Sequence, residues 1–78
     1  MNEEIERRLS SALSPSHCEI ALDGNRAQVL VIADAFEGMN RVKRQQAVYA
    51  CLNDFIADGS LHAVSIVAKT PAEWQAAG

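Results

Sequence analysis

The chain carries few side chains able to do chemistry. There are two histidines, His17 and His62, and two cysteines, Cys18 and Cys51, in 78 residues. Imidazole changes charge near neutrality and binds metals, and a thiolate is a nucleophile and a soft ligand. His62 stands at the mouth of the apolar run "LHAVSIVA", an unexpected entry for a strand meant to be buried. On its own it reads as a satisfied structural histidine at a strand end. Cys18 shares a face with Ile20 and Leu22 and so points into the core. Cys51 falls in the apolar arc of a helix, and buried cysteines behave as small hydrophobes. His17 reads as exposed and inert.

The one dense basic cluster is Arg41, Lys43 and Arg44. Three cations there suit a few phosphate contacts, weak and strongly salt-dependent. They equally suit docking of a partner's carboxylates, which guanidinium favours, or a solvated helix start. Gln45 and Gln46 are unspecific candidates for base edges. No carboxylate pair, Ser-His-Asp arrangement, P-loop or C-x-x-C pair accompanies them, so hydrolysis, group transfer and dithiol redox chemistry lack their residues.

Bulk properties narrow the field further. A chain of 78 residues reads as a single domain, residues 1–78, with a small core. Hydrophobic residues make up 49%, ample for a globular fold. The net charge of −3 gives no global attraction to nucleic acid. With no disulfide framework, charged-then-apolar leader or long apolar span, the expected compartment is the reducing cytoplasm and no membrane is implied. So small a domain has little room for an enclosed substrate pocket, which favours a binding or adaptor role over an enzyme.

Periodicity supplies the elements that must position these residues. Asn2 can cap a first helix, with Glu3 and Glu4 in its first turn. Ile5, Leu9, Ala12 and Leu13 give it one apolar stripe, and "SPS" at 14–16 stops it. "HCEIALDGNRAQVLVIADAF" reads as a hairpin turning at "DGN", where Gly24 and Asn25 tolerate positive φ. Its second strand, Ala27 to Ala35, is apolar on both faces, as a central strand would be. An amphipathic helix follows over "NRVKRQQAVYACLNDFIADG", with Val48, Cys51, Leu52, Phe55 and Ile56 on one arc and Gly59 as its stop. Arg41 and Arg44 lie on the extension of that arc, at the domain's rim. Tyr49 reads as a core residue with its hydroxyl at the rim. The third strand is Leu61 to Ala68. Thr70, Pro71 and Glu73 form a capping box that starts a last helix, and Trp74 can fold back on the sheet. The order α-β-β-α-β-α predicts an α+β fold: a mixed three-stranded sheet with helices packed on one face, the last two strands parallel.

"FEGMNRVKRQQAVYACL" at 36–52, followed by "HAVSIVAKTPAEW" at 62–74, resembles the BolA family. "RVKRQQAVY" looks most like its IbaG (YrbA) branch, since Gln45 follows Arg44 where other members carry His. The resemblance spans nearly the whole chain. It implies a fold similar to class II KH domains, although the Gly-x-x-Gly loop of KH domains is missing after Gly38. It also implies a partner, a monothiol glutaredoxin, with a [2Fe-2S] cluster held at the interface and none in the isolated chain. Glutaredoxin and glutathione would supply thiolates and this chain His62, for iron-sulfur trafficking or for iron or stress sensing. Some relatives add a second ligand from the loop between the first two strands, where this chain has Arg26. Guanidinium does not ligate iron, so this chain departs from the two-ligand pattern at Arg26. The resemblance further carries a proposed role in binding DNA through the turn and helix around 38–58. Alone, the chain is expected to be a monomer or weak homodimer.

Overall fold

A computed structural model describes residues 1–77; Gly78 lies outside the described residues. The elements are α1 (Asn2–Leu13), β1 (His17–Asp23), β2 (Arg26–Ile32), a 3-10 turn (Asp34–Phe36), α2 (Arg41–Ala50), α3 (Asn53–Ala57), β3 (Ala63–Lys69) and α4 (Pro71–Ala77). The sheet order is β1-β2-β3, with β1 antiparallel and β3 parallel to β2. The doubly apolar strand is thus central, and the mixed α+β class expected from the pattern holds.

Register shows how the two-residue period builds the core. Cys18, Val31 and Ala68 form one cross-strand row, Ile20, Val29 and Ile66 the next, and Leu22, Ala27 and Val64 the third. All nine belong to the core or pack against it, with Ile5 and Leu9 of α1, Val48 of α2, and Phe36, Leu52 and Leu61. The intervening rows, Glu19-Leu30-Val67 and Ala21-Gln28-Ser65, point to the other face. Trp74 of α4 meets that second face in a shallow depression with Ala21, Leu30 and Val67.

Local chemistry explains the element ends. Ser14, not a glycine, takes the left-handed conformation (φ 45°) that closes α1, and Pro15 follows it. Gly24 supplies the positive φ (+59°) of the hairpin turn, and Asn25 does not share it. Asn40 caps α2 by accepting from the Lys43 N–H at 2.9 Å. Thr70 and Glu73 make the expected reciprocal capping box, at 2.9 and 3.2 Å.

Four sequence expectations are corrected. Asn2 does not cap α1; it lies inside the helix, and its amide donates to the Ile20 carbonyl of β1. The second strand ends at Ile32, because Asp34–Phe36 turn into a 3-10 segment that buries Phe36 completely. The long helix breaks at Cys51 and Leu52, whose N–H groups donate to Val48 and Tyr49, three residues back. That tighter winding turns the following residues out of phase, so Ile56 is exposed while Leu52 is buried. The third strand begins at Ala63 and runs to Lys69, which leaves His62 outside it.

Candidate functional site

His62 owes its position to its neighbours. Leu61 is 1% exposed, and its N–H donates to the Phe55 carbonyl at 3.0 Å. Gly59 ends α3 in a left-handed turn (φ +83°), a conformation side chains rarely adopt. A Cβ at Gly59 would lie 3.6 Å from His62 Nε2, so the ring rests over the glycine. The His62 N–H donates to the Asn25 carbonyl of the β1–β2 turn at 2.8 Å. The residue is therefore pinned by its backbone, with an anchored leucine before it and a strand after it. Its side chain is exposed, and among the described residues its ring makes no hydrogen bond. His62 lies exposed ahead of β3, which corrects the expected inward-pointing strand phase.

The same backbone contact brings the β1–β2 turn beside His62. Arg26 stands opposite Ala63 in the β2–β3 register and opposite Asp23 in the β1–β2 register. The turn is thus adjacent to His62, but Arg26 is not in it as expected: paired with Asp23, it is the first residue of β2. Cys18 lies opposite Val31 and Ala68, near the far end of the sheet. Burial pushes its thiol pKa up, and Glu6 and Glu19 add to this. Cys51 is buried, and burial raises its thiol likewise. Among the described residues, no three His, Cys, Asp or Glu side chains gather as a metal site.

The basic cluster divides. Arg41 and Lys43 are exposed. Arg44 is not a free cation: it donates to the carbonyls of Met39 (3.0 Å) and Ala68 (3.4 Å) and to Glu73 Oε1 (2.5 Å). Its side chain is only 15% exposed. The Arg44 guanidinium, followed by the Thr70 N–H, holds the Glu73 carboxyl down at about 2. The sequence expectation of three available cations is corrected to two, because α4 delivers a carboxylate that sequence spacing does not bring near. The cluster also sits at the opposite end of β3 from His62, about 20 Å away for six strand steps.

His17 is exposed as expected but not idle. Its Nε2 lies 2.6 Å from Glu19, and its ring stacks on Trp74 with centroids 6.4 Å apart. The Tyr49 hydroxyl, at the rim, donates to the Val64 carbonyl at 3.4 Å.

A family model described as "BolA-like protein" matches residues 9–73. The chain belongs to the BolA family. Among BolA relatives, the acid stress protein IbaG of Escherichia coli K12 is 49% identical over 73 residues, covering 94% of this chain and 87% of its own. BolA1 from Arabidopsis thaliana superposes with a TM-score of 0.82 at 37% identity, covering 92% of this chain and 93% of its own. The BolA domain of SufE1 from the same plant gives a TM-score of 0.85 at 36% identity, with the same coverage. No described helix of this BolA chain is long and apolar enough to cross a membrane.

Proposed function

We propose that this BolA-family chain is a non-enzymatic adaptor that docks a monothiol glutaredoxin and lends it His62 as one ligand of a shared [2Fe-2S] cluster. The observation that carries the reading is the state of His62: an exposed imidazole, fixed through its backbone to Asn25, with no hydrogen bond to its ring among the described residues. A ligand must be deprotonated and open to approach, and a rigid backbone lowers the ordering cost of binding. These residues fit one ligand position. Arg26, at the start of β2 beside His62, does not fit a second, so the remaining ligands are assigned to glutaredoxin and glutathione thiolates. Imidazole in place of thiolate raises a cluster's reduction potential and makes its retention pH-sensitive. Such a cluster suits trafficking or sensing of iron in the cytoplasm.

Co-purification tests the partnership. Tagged chain, captured with a monothiol glutaredoxin and glutathione under anaerobic conditions, should yield a coloured complex whose iron and sulfide are equimolar. A stable colourless complex that forms equally well without iron would make the chain a purely structural interaction module.

A further inference from the structure

The outer edge of β3 carries a donor surface that the cluster reading does not use. The Lys69 carbonyl accepts from Ala33, so odd-numbered residues of β3 face β2. Val64, Ile66 and Ala68 then direct both backbone groups outward, since the two groups of one residue point the same way in a parallel ladder. Their carbonyls confirm this direction: Tyr49, Gln45 and Arg44 of α2 donate to them in turn, at 3.4, 3.1 and 3.4 Å. Among the described residues, nothing accepts from the three outward N–H groups. An unpaired strand edge is a ready template for another strand. Here α2 occupies the acceptors and leaves the donors.

This edge lines an open groove of about 620 Å³ between β3 and α2, bounded by Met39, Arg41, Gln45, Ile66, Ala68 and Lys69. Arg44 and Glu73 also border it and neutralise each other. Arg41 and Lys69 have no ion-pair partner among the described residues. The groove is therefore cationic on a chain whose net charge is −3. Val67, 47% exposed, adds an apolar contact on the adjoining sheet face. Free backbone donors, two unpaired cations and an extended edge together select an extended chain rich in acceptors and negative charge.

From this we infer that the β3–α2 groove docks an acidic, extended peptide segment of a protein partner, which adds to the sheet as a fourth strand beside β3. Its carbonyls accept from the outward N–H groups of Ile66 and Ala68, and its carboxylates meet Arg41 and Lys69. Strand addition of this kind takes affinity from main-chain bonds and specificity from alternate side chains. The inference stands whether or not His62 ligates iron.

The test uses the wild-type chain and a capped eight-residue peptide of alternating valine and glutamate. Amide hydrogen exchange is followed by NMR at saturating peptide. The Ile66 and Ala68 amides should slow at least about tenfold, and raised salt should weaken binding. The combined Arg41→Glu and Lys69→Glu variant, its amide spectrum otherwise unchanged, should bind at least about tenfold more weakly. Unchanged exchange at Ile66 and Ala68 in the saturated wild type would overturn the inference. So would equal binding of a peptide with lysine in place of glutamate. Protection of these amides by a DNA duplex and not by the peptide would also overturn it, in favour of a nucleic-acid surface.

Discussion

Arg44 of α2 and Glu73 of α4, twenty-nine residues apart in sequence, meet at 2.5 Å and close the end of the sheet. The same carboxylate accepts from the Thr70 N–H at 2.9 Å, so one side chain both caps α4 and ties it to α2.

This contact makes part of the fold's stability acid-sensitive. The folded-state pKa of Glu73 is depressed from 4.5 to about 2. A depressed carboxylate contributes its stabilisation fully above its unfolded pKa and loses it as pH falls through the folded value. Glu73→Gln should therefore lower the thermal midpoint above about pH 5, and the gap from wild type should close between about pH 4.5 and pH 2. A gap that stays constant down to pH 2 would contradict this assignment.

Leu61 is the internal anchor beside His62. Its burial is nearly complete, so Leu61→Ala should destabilise the chain by about 2–5 kcal/mol in urea denaturation. The loss frees the segment from Gly59 to His62, and any glutaredoxin complex of the still-folded variant should weaken with it. A change below about 0.5 kcal/mol, the range of an ordinary surface substitution, would show that Leu61 does not hold this segment.

The alternative role in binding nucleic acid now rests on Arg41 and Lys43. Two phosphate contacts give a slope of log affinity against log salt of no more than about −2. Duplex titrations over a salt series should give that shallow slope, and Arg41→Ala with Lys43→Ala should abolish it. Arg44→Ala should act on thermal stability instead. A slope much steeper than about −3 would mean that other cations take part.

The parts of the fold legible in sequence are those decided locally. The hairpin shows in a two-residue period around "DGN", and the last helix in the capping box of Thr70 and Glu73. The central position of β2 shows in its apolar residues on both faces. What was missed depends on partners far along the chain. Arg44 looks free until α4 brings Glu73 to it. His62 looks like a strand residue until its N–H is seen to pair with Asn25, ahead of the ladder. The break at Cys51 and Leu52 has no proline or glycine to announce it; it arises because both side chains are drawn into one small core. Asn40 was the findable omission, an asparagine immediately before a helical pattern and three residues ahead of the N–H it caps.

The central claim concerns a single imidazole, and visible circular dichroism reports on it directly. A monothiol glutaredoxin loaded with its [2Fe-2S] cluster and glutathione is titrated with wild-type chain and with His62→Ala. His62 is exposed, so the variant should fold as wild type does. Wild type should change the cluster's visible spectrum to saturation near one equivalent, and His62→Ala should leave the glutaredoxin spectrum as it was. An identical spectral change from both chains would contradict the assignment of His62 as a cluster ligand.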